Sequence, residues 1–129
     1  MRTAKSLLWI DCSGGLTVGA LVLAFSPWLS TLYGLPIGFI CMMGAANLIY
    51  GGYSLFLARR TVRPLVLLRL LVAANLGWTG FCAGAAAYFA AQASTLGLAQ
   101  LVLEGIYVGG LGLLEWKYLD TLRSAAWPQ

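Results

Sequence analysis

The chain has 129 residues, of which 60% are hydrophobic and 9% are charged. A soluble domain normally has about a quarter of its residues charged, so most of a water-facing surface is missing. The length suits a single domain, residues 1–129. The net charge of +4 could suggest a nucleic-acid partner, but the basic residues lie at the ends of apolar runs, where membrane topology accounts for them. Nucleic-acid binding is therefore not expected.

The chain contains no histidine. It therefore lacks the commonest metal ligand, the usual axial ligand of haem and the usual general base at neutral pH. Its three cysteines, Cys12, Cys41 and Cys82, form no CxxC pair, and we interpret them as small buried apolar side chains. A disulfide between Cys41 and Cys82 is the less favoured alternative. We expect no metal, no cofactor and no set of catalytic residues.

Four apolar runs are long enough to cross about 30 Å of hydrocarbon, a distance that takes about 20 helical residues. They predict membrane-spanning helices at residues 7–25, 36–57, 64–91 and 96–119. A cleaved signal peptide is the alternative for the first run, because a basic start precedes it. The presence of Asp11 inside the run and the length of the run argue against cleavage.

The connection between the first two runs has its own helix signals. Ser26 is suited to the N-cap and Pro27 to the first helical position, while Gly34 provides a stop. Trp28 and Tyr33 are aromatic residues of the kind that anchor a chain at the membrane surface. The connection therefore predicts a short helix lying in the outer interface.

Basic residues are distributed unevenly between the two sides of the predicted bundle. Seven of the eight lie on one side: Arg2, Lys5, Arg59, Arg60, Arg63, Lys117 and Arg123. The positive-inside rule assigns this side to the cytoplasm. The expected fold is therefore an all-α transmembrane four-helix bundle with both termini and its one basic loop in the cytoplasm.

Small residues recur at helical spacing in three of the spans. Helices in lipid associate through close backbone packing and hydrogen bonds rather than through burial from water. Three GxxxG patterns each place two glycines on one helix face: Gly15/Gly19, Gly80/Gly84 and Gly105/Gly109. On the third span the small residues continue a longer stripe: Arg69, Ala73, Gly77, Gly80 and Gly84. We expect these faces to form helix–helix contacts.

Ionisable side chains inside a membrane are costly and mark functional sites by default. At about 1.5 Å per residue, Asp11 and Arg69 are expected about 6 Å inside the cytoplasmic edge, with Glu115 near the same edge. We predict an inner layer in which Arg69 pairs with Asp11, Glu115 or both. The favoured interpretation is an ion pair that ties helices together. The functional alternative is a cationic socket for a lipid phosphate or another anion.

A second group of polar side chains is expected around the bilayer midplane. These candidates for ligand or proton binding are Asn47, Tyr50, Asn75, Gln100, Glu104 and Tyr107. A neutral Glu104 could donate a hydrogen bond to the amide oxygen of Asn47 or Asn75, and the tyrosines would complete the network. Such a network either only specifies helix pairing or forms a proton-binding or ligand-binding site between helices. Both interpretations stay open.

Four segments carry a resemblance to known proteins: residues 32–36 (LYGLP), 47–54 (NLIYGGYS), 74–78 (ANLGW) and 109–116 (GGLGLLEW). They resemble blocks in a set of small, uncharacterised bacterial four-span proteins. The general layout also resembles DoxX-like membrane proteins. The resemblance covers most of the chain and implies a multi-pass protein of the bacterial inner membrane.

Three functions are compatible with these features. The favoured hypothesis is a non-enzymatic bundle in the lipid bilayer that binds a lipid, a small hydrophobic ligand or a membrane-protein partner, which includes a second copy of the chain. The first alternative is a proton-coupled transporter or channel in which Glu104 titrates. The second alternative is a membrane enzyme that acts on a lipid-soluble substrate through Glu104, Asn47 and the tyrosines.

Overall fold

The computed structural model describes residues 2–60 and 63–124, and all regular structure in these ranges is helical. The helices are α1 Arg2–Ala24, α2 Ser26–Tyr33, α3 Ile37–Ala58, α4 Leu65–Tyr88, α5 Thr95–Lys117 and α6 Leu119–Ser124. Within the described ranges, four segments are long and apolar enough to cross a membrane: Ser6–Ala24, Ile37–Ala58, Leu65–Tyr88 and Thr95–Lys117. The predicted all-α chain with four candidate spans is confirmed. Helix α6 was not predicted.

Proline, serine and glycine set most of the helix ends. Helices α3 and α4 begin directly after Pro36 and Pro64, both with φ of −59°, because proline is pre-organised for a helix start. Helix α5 is capped by Ser94, whose hydroxyl accepts a hydrogen bond from the backbone N–H of Gly97 at 3.1 Å. Helix α4 ends at Tyr88, three residues before the predicted end, because the chain already turns over the residues that follow.

Helix α2 differs by one residue from the prediction at its start. Its N-cap is Phe25, so Ser26 lies inside the first turn rather than at the cap. The helix ends at Gly34, whose φ of 66° is left-handed and suits glycine. Two hydrogen bonds then tie its last turn to the start of α5: Ser94 donates through its backbone N–H to the Tyr33 carbonyl and through its hydroxyl to the Leu32 carbonyl, both at 2.8 Å.

The bundle consists of two tightly packed helix pairs, α1 with α3 and α4 with α5. Contacts between α1 and α5 join the pairs, whereas the backbones of α3 and α4 stay apart although the helices are consecutive in the chain. Side chains bridge them near their ends: the Tyr53 hydroxyl donates to the Leu67 carbonyl oxygen at 2.7 Å, and the Phe39 ring stacks on Phe81. Glycine allows the first pair to pack closely: a Cβ at Gly15 would lie 3.0 Å from the Gly51 Cα, and one at Gly19 would lie 2.8 Å from the Gly44 carbonyl oxygen. The arrangement therefore leaves an open side between α3 and α4.

Helices α4 and α5 pack through the glycines of α5. A Cβ at Gly109 would lie 2.8 Å from the Thr79 hydroxyl, and one at Gly112 would lie 2.9 Å from the Asn75 Cβ. The packing roles predicted for the Gly15/Gly19 and Gly105/Gly109 patterns are therefore confirmed.

The small-residue stripe of α4 faces outward, whereas we predicted that it would form a helix–helix contact. Its members are all exposed, from Arg69 through Ala73, Gly77 and Gly80 to Gly84. A Cβ at Gly77, Gly80 or Gly84 would meet nothing within 4 Å. Helix α4 instead turns its other face inward, with Leu71, Asn75 and Cys82 buried. The GxxxG pattern at Gly80 and Gly84 does not form a contact within the described part of this chain.

Two apolar clusters fill the interior at opposite ends of the bundle. One contains Leu7, Leu8, Leu57, Leu68, Leu71 and Leu122. The other contains Leu29, Leu35, Ile40, Cys82 and Leu101. On α4 the fully buried Asn75 lies between Leu71 of the first cluster and Cys82 of the second. The fold therefore places a polar layer between two apolar ones.

Candidate functional site

Four helices contribute one side chain each to a buried polar group that we call the carboxyl cluster: Asp11 of α1, Tyr50 of α3, Asn75 of α4 and Glu115 of α5. The Tyr50 hydroxyl donates to Asp11 Oδ2 at 2.7 Å. The Asn75 amide nitrogen donates to Glu115 Oε1 at 2.5 Å and, more weakly, to Asp11 Oδ2 at 3.4 Å. The two carboxyl groups are thus bridged by a single amide.

The carboxyl cluster is almost completely shielded from the surroundings. Asp11 is 3% exposed, Glu115 is 1% exposed and Asn75 is not exposed at all. Two oxygens in it, Glu115 Oε2 and Asn75 Oδ1, have no hydrogen-bond partner among the described residues. Such atoms are rare in folded proteins and usually carry a physical explanation.

The predicted partner of these carboxyl groups, Arg69, is not in the cluster. Its side chain is exposed and borders a surface groove with Val72 and Trp116. Arg69 lies on the exposed face of α4, whereas Asn75 is buried, and Arg69 makes no ion pair with Asp11 or Glu115. The inner layer predicted from the sequence is therefore corrected to a pair of carboxyl groups with neutral partners. The cationic socket for a phosphate loses its basis for the same reason.

A second polar group surrounds Glu104, and we call it the Glu104 cluster. The Trp78 indole N–H donates to Glu104 Oε2 at 2.7 Å, and the Gln100 amide donates to Oε1 at 3.4 Å. The Cys82 thiol lies 3.8 Å from Oε2. Asn47 lies beside this carboxyl group, and its amide donates to the Met43 carbonyl oxygen at 2.9 Å. Glu104 therefore accepts hydrogen bonds from three neutral donors on α4 and α5, and α3 places Asn47 beside them.

The six midplane candidates divide between different places. Asn47, Gln100 and Glu104 meet in the Glu104 cluster, whereas Tyr50 and Asn75 belong to the carboxyl cluster. Tyr107 belongs to neither: it is 47% exposed, and its hydroxyl lies 3.5 Å from the Ile10 carbonyl oxygen. The structure therefore contains two polar clusters in place of one layer.

Trp78 is the site residue that sequence reasoning missed. A signal existed, because Trp78 follows Asn75 by three positions and so lies on the same face of α4. Its indole N–H also needs an acceptor inside an apolar bundle, and Glu104 is the carboxyl on the neighbouring helix. Close approach of α4 and α5 at Gly112 explains why Asn75 itself reaches Glu115 instead.

A cleft of about 430 Å³ opens on the side of the bundle between α3 and α4. Its walls are mostly apolar or aromatic: Ala46, Asn47, Ile49, Tyr50, Tyr53, Ala74, Asn75, Trp78 and Val108. Tyr50 and Asn75 connect it to the carboxyl cluster, and Asn47 and Trp78 connect it to the Glu104 cluster. By contrast, the enclosed space around Glu104 and Gln100 is only about 20 Å³. The cleft is therefore the ligand-sized space beside these polar groups.

The described residues contain no candidate metal site and no disulfide. In residues 2–60 and 63–124, no group of three or more histidine, cysteine, aspartate or glutamate side chains is placed to hold a metal ion. All three cysteines are free, so Cys41 and Cys82 form no disulfide. Cys12 and Cys82 are buried, as predicted, and Cys41 is half-buried.

Comparison with known proteins adds no relative: no family model, no curated protein and no solved structure matches the chain. The class of protein is therefore defined by its own fold and site. It is a small all-helical protein with four candidate membrane spans, two polar clusters inside the bundle and a lateral cleft that reaches both.

Proposed function

We propose that this chain is a small inner-membrane protein that binds a lipid-soluble ligand in the cleft between α3 and α4. The observation that carries the proposal is the cleft itself. Its volume of about 430 Å³ falls within the usual range of ligand pockets, about 300–1,000 Å³. Because it opens sideways between two membrane-spanning helices, a ligand would enter from the hydrocarbon rather than from water.

The lining of the cleft defines the chemistry of the ligand. Most of the wall is aliphatic or aromatic, and the accessible polar contribution comes from Asn47 and Tyr50, because Asn75 borders the cleft but is fully buried. Asp11 and Glu115 lie directly behind Tyr50 and Asn75, so an anionic headgroup would be repelled. The expected ligand has an apolar body and an uncharged head that forms hydrogen bonds, such as a hydroxyl or a carbonyl group.

Filling the cleft is expected to abolish this binding. Ala74 lines the cleft and is exposed, so Ala74→Trp would occupy the space without disturbing the buried core. A photoactivatable long-chain alcohol should label the cleft walls of wild type in liposomes, and Ala74→Trp should reduce that labelling about tenfold, equal to about 1.4 kcal/mol of binding free energy. Mass spectrometry of the labelled peptides measures the effect.

The matched control is Ala83→Trp, on the same helix and also exposed but away from the cleft. It should label like wild type. Equal labelling of both variants, or labels spread evenly over all the lipid-facing surfaces, would show that the cleft binds nothing specifically.

Orientation in the membrane is a second part of the proposal. The positive-inside rule favours both termini in the cytoplasm and α2 in the outer interface. Helix α2 supports this position, because Trp28 is 61% exposed and the preceding Phe25 is 52% exposed on the outside of the bundle. A green fluorescent protein fused after the last residue should fluoresce in bacterial cells, whereas alkaline phosphatase at the same point should be inactive. The reverse pattern would invert the topology.

The alternatives predicted from the sequence receive less support. A transporter that titrates through Glu104 needs a carboxyl group that gains and loses a proton readily, whereas three neutral donors already bind Glu104 as an acceptor. The enzyme alternative would use Asn47, Tyr50 and Tyr107 with Glu104, but Tyr50 donates to Asp11 in the carboxyl cluster and Tyr107 lies away from both clusters. A membrane-protein partner or a second copy of the chain stays a prediction.

A further inference from the structure

The carboxyl cluster brings together two acids without a compensating cation. Asp11 and Glu115 come from α1 and α5, and their carboxyl groups lie together, because the Asn75 amide nitrogen is within hydrogen-bond distance of one oxygen of each. Both are at least nine-tenths buried. Of the lysine and arginine side chains that the structure describes, only Arg63 is buried, and its guanidinium donates to the carbonyl oxygens of Leu57, Ala58 and Leu122.

The remaining side chains around the pair are known from every helix that packs there. Tyr50 from α3 donates to Asp11, and Asn75 from α4 donates to both carboxyl groups. Tyr107 of α5 is the other titratable group nearby, and its hydroxyl points to the Ile10 carbonyl. Cys12 of α1 directs its thiol to the Trp9 carbonyl. None of these groups supplies a positive charge.

Two ionised carboxylates that share one amide donor would repel one another strongly in a site as buried as this one. The available donors bind Asp11 Oδ2 and Glu115 Oε1, while Glu115 Oε2 has none among the described residues. One proton held between the two carboxyl groups resolves both problems, because it removes one negative charge and gives Glu115 Oε2 a hydrogen-bond partner. Carboxyl pairs that share one proton behave in this way.

We propose that Asp11 and Glu115 share a single proton and form a proton-binding site inside the bundle. The site is separate from the Glu104 cluster and does not require a ligand in the cleft. It lies one side chain behind the cleft wall, because Tyr50 and Asn75 contact both. The pair would carry one negative charge when the proton is bound and two when it is released. No other atom would be transferred.

Infrared spectroscopy of the purified protein in liposomes tests the proposal directly. The carbonyl stretch of a protonated carboxyl group should be present at neutral pH, should shift in deuterated buffer and should disappear at high pH. Glu115→Gln should remove this band at neutral pH, since Asp11 then has three neutral donors and no carboxyl neighbour. Glu104→Gln should leave the band in place, because Glu104 does not contact the pair.

The infrared band can also be assigned in the wild-type protein, without relying on any variant to fold. The chain has only four acidic residues, Asp11, Glu104, Glu115 and Asp120, so ¹³C labelling of aspartate and of glutamate in wild type should each shift the band if the proton is shared. Absence of the band at neutral pH, or a band that shifts only with glutamate labelling, would overturn the proposal. So would loss of the band when sodium replaces choline in the buffer, since the pair would then bind a metal cation.

Discussion

Replacing Gly51 by leucine is expected to part α1 from α3 and to lower the free energy of unfolding by about 3 kcal/mol, the upper part of the usual range for overpacking. A Cβ at Gly51 would lie 2.7 Å from the Leu16 backbone nitrogen and 3.1 Å from the Gly15 carbonyl carbon. These are backbone atoms, so a rotamer change cannot relieve the clash. The whole helix must move, and the close packing that holds helices together in lipid is lost.

The matched control for this prediction is the next residue. Gly52 is exposed, and a Cβ there would meet nothing within 4 Å. Gly52→Leu should therefore keep or slightly raise the stability, because leucine is the better helix former by up to about 1 kcal/mol. Titration with sodium dodecyl sulfate in mixed micelles, followed by tryptophan fluorescence, compares the variants. Equal stability of Gly51→Leu and Gly52→Leu would contradict the observed α1–α3 contact.

Glycine spacing alone could not distinguish these two kinds of position. The sequence identifies helix faces made of small residues, and Gly15, Gly19, Gly105 and Gly109 do lie in contacts. The equivalent stripe on α4 faces outward, because Asn75 and Cys82 occupy the inner side of that helix. Small size permits close approach but does not require a partner, so polar side chains and packing decide which face turns inward.

The four helices were the most predictable part of the fold. Their lengths follow from the length of each apolar run, and Pro36 and Pro64 set the starts of α3 and α4. Helix pairing was not predictable from these features. A count of residues from the membrane edge gives depth along a helix but not its rotation or its neighbours. The open side between α3 and α4 could therefore be found only in the structure.

The same limit explains the errors at the site. Residues at one estimated depth were grouped into a single midplane layer, whereas Asn75 joins Glu115 and Asp11, and Asn47 joins Glu104. The sequence does show which polar residues lie within the apolar runs, and buried polar groups in lipid need partners. Which partners these side chains find depends on how each helix is rotated about its axis. The close approach of α4 and α5 at Gly112, for example, brings Asn75 to Glu115.

Arg63 belongs to the basic loop and is also part of the buried packing between helices. It was predicted only as part of the cytoplasmic basic loop, yet it is 3% exposed. Its guanidinium donates to the carbonyl oxygens of Leu57 at 2.7 Å, Ala58 at 3.2 Å and Leu122 at 2.8 Å. It thereby binds the last turn of α3 to α6. Burial lowers the pKa of Arg63, but guanidinium groups keep their proton in proteins.

Replacing Arg63 by methionine is accordingly expected to lower the free energy of unfolding by about 3 kcal/mol. Each hydrogen bond to a charged group contributes about 1.5–3 kcal/mol, and the contributions of the three bonds do not simply add. The carbonyl oxygens at the end of α3 would lose both their donor and a favourable charge. Arg59→Met removes the same charge from the same loop, but Arg59 is exposed, so its effect on stability should stay below about 1 kcal/mol. The detergent titration used for Gly51 measures both variants. If they were destabilised equally, the charge of the loop rather than the buried guanidinium contacts would account for the effect.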